Sequence, residues 1–233
     1  MKIAVVTGVS SGIGQAIALK LLEMGYSLLG ISRKNVDFPN YSKSYTHISC
    51  DLSVEKSVAQ LCKQLQSKDI TLLVNCAGFG EFAPHEELHF TTITKMSFLN
   101  LTTPMLLTNA TLRSLKKNEG YLININSIEA LRASKFAGVY SATKAGLKAF
   151  GDALFEETRK SGLSITNINP DMTESAFYEK LRFDVSDKED EKLLASDIAQ
   201  AVEHILSMRK GAVVSDYTIR SLKFGIKKKR SSN

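Results

Sequence analysis

Short apolar runs alternate with longer amphipathic stretches along most of the chain. The runs are rich in valine, isoleucine and leucine and nearly continuous, which is typical of strands buried on both faces of a parallel sheet. Six strands are predicted in this way, at residues 3–6, 27–31, 45–49, 71–74, 121–126 and 163–168. The pattern therefore predicts a mostly parallel sheet that is covered on both faces.

Between these strands, apolar residues recur at the spacing of one helical face. The clearest such faces are Val58, Leu61, Cys62 and Leu65; Leu147, Phe150 and Leu154; and Ile198, Val202, Ile205 and Leu206 after Ser196. Ser53 is the predicted N-cap of the first of these helices. Gly25 stands where the helix after the first strand is expected to end.

This alternation of strands and helices predicts the class of the fold. Strand–helix–strand units of one sheet are expected to connect by right-handed crossovers and to place helices on both faces. We therefore expect a single-domain α/β protein with a doubly wound, Rossmann-type fold. No repeat or composition break divides the chain, so the domain is placed at residues 1–222, followed by a basic, flexible tail at residues 223–233.

Composition excludes several classes of protein. Hydrophobic residues make up 43% of the 233 residues and charged residues 23%, a balance that excludes a disordered chain. Cys50, Cys62 and Cys76 show no paired spacing, which predicts free thiols in a reducing compartment. No apolar run has the length of a signal peptide or a membrane span, so we expect a cytoplasmic protein without a membrane partner.

The net charge of +6 comes partly from a cationic C-terminal segment. Its cations are Lys223, Lys227, Lys228, Lys229 and Arg230. Such a segment is either a solvated terminus or a patch for nucleic acid or another anionic surface. Phe224 is its single aromatic residue, and aromatic interleaving is otherwise missing, so we favour the solvated terminus and expect no nucleic-acid partner.

A glycine-rich turn joins the first predicted strand to the first helix. Glycines allow a tight turn and the close approach of a phosphate, and the helix N-terminus offers free N–H groups and a positive dipole end. This context predicts dinucleotide binding, although a turn that merely connects strand and helix has the same sequence. The predicted cofactor contacts in the turn are Gly8, Ser10, Ser11, Gly12, Ile13 and Gly14.

The end of the second strand indicates which nicotinamide cofactor is bound. An NAD site places an acidic residue there to accept hydrogen bonds from the ribose 2′-hydroxyl. The chain has Ser32, Arg33 and Lys34 instead, and Asp37 is expected beyond the strand end. Arg33 suits a bidentate contact with a 2′-phosphate and Ser32 suits a further hydrogen bond. Solvated loop charges are the alternative, but within a dinucleotide site the pattern favours NADP(H) over NAD(H).

Tyr140 and Lys144 begin a long predicted helix and lie four residues apart, so their side chains share one face. A nearby cation favours phenolate and lowers a tyrosine pKa from its ordinary value of about 10, which makes the phenol a usable proton donor or acceptor. Ser127 follows a predicted strand, at the carboxyl edge where ligands of parallel sheets bind. Singly, these residues suit a surface tyrosine, a surface lysine or a turn serine.

Together with the glycine turn, these residues make the chain resemble the short-chain dehydrogenase/reductase family. The resemblance covers residues 1 to about 173. The matching positions are the turn ending at Gly14, Asp51-Leu52, Asn75-Cys76-Ala77-Gly78, Asn100, Ser127, Tyr140, Lys144 and Pro170. The chain departs from the family pattern at Cys76, where asparagine is common, and at Asp171, where glycine is typical.

The resemblance implies an NADP(H)-dependent enzyme that transfers a hydride between the nicotinamide and a small carbonyl or alcohol. Tyr140 would be the general acid or base, Lys144 would lower the Tyr140 pKa and bind the ribose, and Ser127 would stabilise charge on the substrate oxygen. Asn100 would hold a water that relays protons. The further cofactor contacts that it implies are Asp51, Leu52, Asn75, Ala77, Gly78, Tyr140, Lys144, Pro170 and Thr173.

The same resemblance implies a substrate lid at about residues 171–195. Its aromatic residues either cover the substrate or only pack the loop down. The residues considered for this cleft are Phe177, Tyr178, Phe183, Phe79, Phe82 and Glu129. Glu129 either repels anionic substrates or points to solvent.

Histidines, helix faces and the catalytic set give three more predictions, on metal binding, on self-association and on activity. His85 and His89 have no thiolate or third histidine nearby, so no metal site is predicted. A homodimer or homotetramer is expected through the helices around residues 91–117 and 140–160. The alternative to an enzyme is a dinucleotide-binding sensor without turnover, but the Ser127, Tyr140 and Lys144 set favours the enzyme.

Overall fold

A seven-stranded sheet and a two-stranded ribbon hold the strands of this protein in the computed structural model, which describes residues 2–229. The strands are β1 (Ile3–Thr7), β2 (Ser27–Ser32), β3 (Tyr45–Ser49), β4 (Ile70–Asn75), β5 (Tyr121–Ile125), β6 (Ser164–Pro170), β7 (Phe183–Val185), β8 (Asp216–Ile219) and β9 (Ile226–Lys228). The large sheet has the order β3-β2-β1-β4-β5-β6-β8, and all its pairs are parallel. The predicted doubly wound parallel sheet is thus confirmed.

Six α-helices lie between the strands. They are α1 (Gly12–Glu23), α2 (Glu55–Gln66), α3 (Phe90–Ser97), α4 (Thr103–Lys117), α5 (Gly138–Thr158) and α6 (Ala195–Ser207). A π-helical turn at Phe98–Thr102 joins α3 to α4. Short 3₁₀ helices occur at Pro39–Tyr41, His85–Glu87, Ile128–Ala130, Arg159–Ser161, Ala176–Tyr178 and Glu189–Glu191. Within residues 2–229, no helix has the length and apolarity needed to cross a membrane.

The sheet is buried on both faces, which explains its nearly continuous apolar strands. In β1, Val6 packs in the cluster formed with α1 and α6, whereas Val5 packs in the cluster formed with α2, α4 and α5. Successive strand side chains point to opposite faces, so both faces need apolar residues. Burial at a typical value of about 25 cal/mol per Å² of apolar surface is the main force holding these layers together.

The boundaries of the predicted elements agree to within two residues, with one local correction. Gly25 follows α1 with a φ of +83°, as expected of a residue that ends a helix. Ser53, however, is not the N-cap of α2, which begins at Glu55 with Val54 in the cap position. Ser53 donates its backbone N–H and its hydroxyl to Asp51 Oδ1, at 2.9 and 2.6 Å. The turn at Asp51 therefore fixes the residues that immediately precede α2.

The basic segment near the C-terminus pairs with the segment predicted to be a substrate lid. The sequence suggests a flexible tail, whereas the structure pairs β9 antiparallel with β7 and joins Lys223 to Asp190 and Lys227 to Asp187, both at 2.7 Å. Main-chain hydrogen bonds and opposite charges together order this ribbon. Arg230, the last of the predicted tail cations, lies outside the described residues.

Neutralising the cations of this ribbon is expected to loosen it. The triple variant Lys223→Gln, Lys227→Gln, Lys229→Gln should be cleaved several-fold faster by a glutamate-specific protease at Glu189 or Glu191. Exposed ion pairs are worth at most about 1 kcal/mol each and are screened by salt, so high salt should speed cleavage of the wild type as well. Lys210→Gln, which removes an exposed pair with Glu119, is the matched control. Equal cleavage of all variants at low salt would contradict this account.

Candidate active site

The turn after β1 needs glycine at three positions. Gly8 and Gly12 have φ values of +78° and +56°, a left-handed conformation that favours glycine. A Cβ on Gly14 would collide with the Gly8 carbonyl, so α1 can start against the turn only with glycine there. Ser11 is exposed and extended at the N-cap of α1, and its side chain makes no capping hydrogen bond. The N–H groups at this helix start are therefore available to a phosphate.

The turn lies where the strand order of the sheet reverses, between β1 and β4. Thr7 Oγ1 accepts hydrogen bonds from the backbone N–H groups of Cys76 and Ala77, at 2.9 and 3.0 Å. The loop after β4 is thereby fixed beside the glycine turn. Because Cys76 contributes its main chain to this contact, a cysteine serves there as well as the asparagine of the family pattern. Ligands of open α/β sheets bind at this kind of crevice.

The residues predicted to distinguish the two cofactors lie at the end of β2. Arg33 is exposed, and Asp37 lies five residues beyond the strand, where it accepts a hydrogen bond from Asn35. Ser32 is buried, and its hydroxyl donates to the Lys34 carbonyl at 2.7 Å and lies 3.0 Å from His47 Nε2. The Ser32 hydroxyl thus already has a protein acceptor, which sequence alone did not reveal. Of the two residues predicted to bind the 2′-phosphate, Arg33 is the one whose side chain is exposed.

Asp51 and Leu52 lie at the neighbouring strand end, after β3. Hydrogen bonds from Ser53, with a smaller contribution from the Arg33 charge, hold the pKa of the Asp51 carboxyl below its ordinary value. Leu52 is buried, and its carbonyl accepts a hydrogen bond from Thr103 at 2.8 Å. Asp51, a cofactor contact implied by the family resemblance, is therefore an ionised acceptor that feels the Arg33 charge.

Asn100 is buried within the π-helical turn rather than exposed on a regular helix. Its Nδ2 donates to the Phe79 carbonyl at 2.8 Å, and its Oδ1 accepts from the Phe79 N–H at 3.1 Å. A Cβ on Gly78 would lie 3.0 Å from Asn100 Oδ1 and 3.6 Å from Lys144 Nζ. Local π-helical geometry redirects a side chain and is frequent at functional sites. It brings Asn100 to the loop after β4, beside Lys144.

Asn75, at the end of β4, makes a different contact from the one predicted for it. Its Nδ2 donates to Asn124 Oδ1 at 3.0 Å, so the amide is part of a polar row inside the sheet. Its Oδ1 is buried and has no partner among the described residues, and the same holds for Asn126 Oδ1, next to Ser127. Buried acceptors of this kind usually bind a water or a ligand donor.

Tyr140 and Lys144 lie on α5 and are both buried, with 7% and 5% of their surfaces exposed. Lys144 Nζ donates to the Ile125 carbonyl at 2.9 Å and lies 5.8 Å from the centre of the Tyr140 ring. Because burial disfavours a charge, the pKa of Lys144 is lowered to about 8. The helix thus places the phenol and the amine in one dry cleft, as the spacing predicts.

The expected lowering of the Tyr140 pKa is wrong for this structure. Burial raises the pKa of Tyr140 to about 12; a hydrogen bond with Ser127 opposes this shift and the Glu129 charge adds to it. A neighbouring cation favours phenolate, but the cost of taking phenolate out of water is larger, and spacing along the chain does not reveal that cost. Tyr140 is therefore fully protonated near neutral pH, which suits a proton donor.

Ser127 lies two residues after the end of β5 and is the N-cap of the 3₁₀ turn Ile128–Ala130. Its Oγ accepts a hydrogen bond from the Glu129 N–H at 3.2 Å, which directs the hydroxyl group. Ser127, Tyr140, Lys144 and Asn100 are thus gathered at the carboxyl edge of the sheet, beside the glycine turn. Sequence spacing predicts each position, but only the folded chain joins the four.

Pro170 and Thr173 border the same edge. Pro170 is the last residue of β6, and Thr173 is buried and donates to the Asp171 carbonyl at 2.9 Å. Ser175 lies against Gly12, since a Cβ on that glycine would come within 2.8 Å of the serine Cβ. The segment that follows β6 therefore starts directly over the glycine turn.

Aromatic side chains of this segment lie over Tyr140. The Phe177 ring is 5.7 Å from the Tyr140 ring, and the Phe82 ring is 5.3 Å from it. Tyr178 and Phe183 pack behind them with Phe82 in a small apolar cluster. Phe177 and Phe82 therefore contact the Tyr140 ring, whereas Tyr178 packs within the loop cluster; a role in covering a substrate stays a prediction. Phe79 contributes its backbone to Asn100 and is half-buried.

A buried ionic network at this edge was not predicted from the sequence. The solvent-facing alternative for Glu129 is wrong, because its carboxylate is buried and bound to Arg132 at 3.3 Å. Asp171 is buried as well and binds Arg220 at 3.1 Å and Arg132 at 3.8 Å. The only local signal was the three-residue spacing of Glu129 and Arg132, which by itself indicates at most a weak pair.

The histidines considered for a metal lie away from this cleft. His85 and His89 are exposed, and within residues 2–229 no group of three or more metal-binding side chains is arranged around a common point. His47 contacts Ser32, and His204 packs beside the Tyr217 ring.

Comparisons of sequence and structure show which known proteins this chain is similar to. A sequence model of the family described as short chain dehydrogenase matches residues 2–186. An uncharacterised oxidoreductase of Staphylococcus epidermidis is 30% identical over 226 residues, which cover 94% of this chain and 96% of the relative. An alcohol dehydrogenase from the archaeon Thermococcus sibiricus, solved with 5-hydroxy-NADP, is 27% identical with a TM-score of 0.83, covering 95% and 97% of the two chains.

A third protein has the same fold but was solved with NADH rather than with an NADP derivative. A 4-hydroxyisoleucine dehydrogenase mutant, solved with NADH and succinate, has a TM-score of 0.83, and the match covers 94% of this chain and 97% of the other. At 23% identity this likeness concerns the fold alone.

Proposed function

Because the chain belongs to the short-chain dehydrogenase family of oxidoreductases, we propose that it transfers a hydride between NADP(H) and a small carbonyl or alcohol substrate. The observation that carries the proposal is the burial of Tyr140 beside Lys144 and Ser127 at the ligand-binding edge of the sheet. A phenol, an amine and a hydroxyl gathered in one cleft are the groups needed to polarise and protonate a carbonyl oxygen.

In the direction of reduction, the protein's own residues handle the proton and the substrate oxygen. NADP(H), when bound, supplies the hydride. Tyr140 donates its phenolic proton to the oxygen of the substrate, and Ser127 donates a hydrogen bond to the same oxygen as charge develops there. Lys144, whose Nζ lies 5.8 Å from the centre of the Tyr140 ring, favours the resulting phenolate by its positive charge.

The surrounding residues orient these groups and exclude water. Asn100 holds the loop at Phe79 and lies beside Lys144, where a water bound near it would return a proton to the site. Phe177 and Phe82 cover the phenol and keep the cleft dry, which strengthens every hydrogen bond within it. Gly8, Gly12 and Gly14 allow the turn to pack tightly against its neighbours, which leaves the N–H groups at the start of α1 to bind the pyrophosphate.

The first experiment is a titration of the purified protein with NADPH and NADH, followed by cofactor fluorescence. Tighter binding of NADPH, and its oxidation with a panel of aldehydes and ketones, would support the proposed function; tighter binding of NADH would keep the dehydrogenase and contradict the choice of NADP(H). Failure to bind both would contradict it. The cytoplasmic location and the homodimer or homotetramer stay predictions, the latter tested by light scattering.

Arg33 is proposed to select NADPH. Arg33→Ala should weaken NADPH binding about 10- to 100-fold, the range expected for losing charge-assisted hydrogen bonds to a phosphate. Binding of NADH, which has no 2′-phosphate, should change little. Fluorescence titration of both cofactors measures the two dissociation constants.

The matched control is Lys34→Ala, which removes the neighbouring exposed cation. It should cost less than Arg33→Ala, because an ammonium cannot make the bidentate contact. An equal loss of affinity for NADPH and NADH in Arg33→Ala would contradict phosphate selection at this residue.

A further inference from the structure

Glu129 is a buried carboxylate whose surroundings are built to keep it in one place. Its two oxygens accept hydrogen bonds from Ser134 Oγ at 2.7 Å, the Ser134 N–H at 3.0 Å, Ser141 Oγ at 3.0 Å and Arg132 Nε at 3.3 Å. Four donors around a carboxylate that is 9% exposed satisfy it fully. A single substitution would leave several of these donors without a partner.

The same residue contacts the machinery on both sides of the cleft. Its backbone N–H donates to Ser127 Oγ at 3.2 Å, so this lone pair of the serine hydroxyl is occupied and its hydrogen stays available to another acceptor. Its carboxylate binds Ser141, the residue that follows Tyr140 on α5. The loop after β5 and the first turn of α5 are therefore held in register by one side chain.

We propose that Glu129 is a positioning residue for the reaction, holding the Ser127 hydroxyl and the Tyr140 phenol at a fixed separation. This inference rests on the proposed function. Arg132 extends the network to Asp171, which binds Arg220, so the ends of β5, β6 and β8 are joined by alternating charges. Asp171 stands where the family pattern has glycine, and its carboxylate anchors the start of the lid to this network.

The negative charge of Glu129 also acts on the phenol. The charged or titratable groups that face Tyr140 are Glu129 on the loop after β5, Lys144 on α5 and Tyr178 on the lid. Glu129 disfavours phenolate, whereas Lys144 favours it. Removing the charge of Glu129 must then make the phenol ionise at lower pH.

The test is Glu129→Gln, which keeps the size of the side chain but presents an amide to the Ser134 and Ser141 donors. We expect kcat to fall about 10-fold or more, since misplacement of catalytic groups by a fraction of an ångström is costly. In the alcohol oxidation direction, the pH midpoint should move downward. The dissociation constant of NADPH should change little, because the Glu129 carboxylate hydrogen-bonds to Arg132, Ser134 and Ser141 and to none of the predicted cofactor residues. Glu86→Gln, at an exposed site, is the matched control.

The pH midpoint reports the loss of the charge, so the positioning role is judged by kcat measured on folded protein that binds NADPH as the wild type does. A purely structural role would lower kcat only together with the melting temperature and the NADPH affinity, and that outcome would overturn the proposal. Should Glu129→Gln fail to fold, Ser141→Ala removes one donor and keeps the charge; we expect kcat to fall several-fold, and an unchanged kcat would overturn the proposal. A wild-type protein that turns over no substrate would instead refute the proposed function. The two failures are therefore distinguishable.

Discussion

Replacing Tyr140 by phenylalanine is expected to lower kcat/KM by about 10³-fold, within the range attributed to general acid–base catalysis. The substitution removes one oxygen atom from a buried side chain and keeps the ring that packs on Phe82 and Phe177. The proton donor is lost, while the fold and the glycine turn are unaffected. Oxidation of NADPH in the presence of a reactive carbonyl compound measures turnover, and fluorescence titration measures cofactor affinity.

The matched control for this variant is Tyr26→Phe, which removes a buried phenolic oxygen in the core beside α1. It should retain the activity of the wild type. If Tyr140→Phe keeps more than about a tenth of wild-type kcat/KM, the general-acid role assigned to the phenol is refuted. If the variant loses NADPH binding as well, a structural defect explains the loss better than chemistry does.

Replacing Asn167 by alanine is expected to lower the free energy of unfolding by about 3–5 kcal/mol, the sum of several unsatisfied buried groups at about 1–3 kcal/mol each. Asn167 lies in β6 in register with Asn124 of β5. Its Oδ1 accepts from Asn124 and Asn126, at 3.3 and 3.1 Å, and its Nδ2 donates to Asp152 at 2.8 Å. Truncation would leave the buried amides of Asn124 and Asn126 without this acceptor, whereas the exposed Asp152 would keep water and Lys148 as partners.

Urea unfolding of the wild type and the variant gives this difference directly, provided that the slope with denaturant is the same. Asn35→Ala, which removes an exposed hydrogen bond to Asp37, is the control and should change stability by less than about 0.5 kcal/mol. A loss of less than about 1 kcal/mol in Asn167→Ala would contradict the account, because it would mean that water replaces the lost amide at no cost.

The buried asparagines of β4, β5 and β6 form a row that extends to the candidate active site, so the loss of Asn167 should affect activity as well as stability. Asn75 of β4 pairs in register with Asn124, and Asn75 ends the strand that precedes the Gly78 loop. Gly151 of α5 packs directly on Asn167, since a Cβ there would lie 2.8 Å from its Nδ2. The amide row therefore fixes the distance between α5, with its Tyr140 and Lys144, and the sheet.

The amino-acid sequence by itself determined the class of fold and most of the strands. The run through Val5 and Val6 is apolar on both faces, and that feature is local, so it is readable without a structure. The glycine turn and the four-residue spacing of Tyr140 and Lys144 are local in the same way. Two short strands could not be predicted from the sequence. In β8 exposed and half-buried residues alternate, and β9 is exposed throughout. Neither has the continuous apolar signal of a buried strand.

Only the tertiary structure decided the features that depend on distant parts of the chain. The inward position of Asn100 requires the π-helical turn, and the network of Glu129, Arg132 and Asp171 joins side chains from the ends of two different strands. The raised Tyr140 pKa follows from burial beneath Phe177, and the spacing of residues along the chain does not predict that burial. Helical and strand periods are set by nearest neighbours, whereas burial, charge pairing and solvation arise from residues that meet only when the chain has folded.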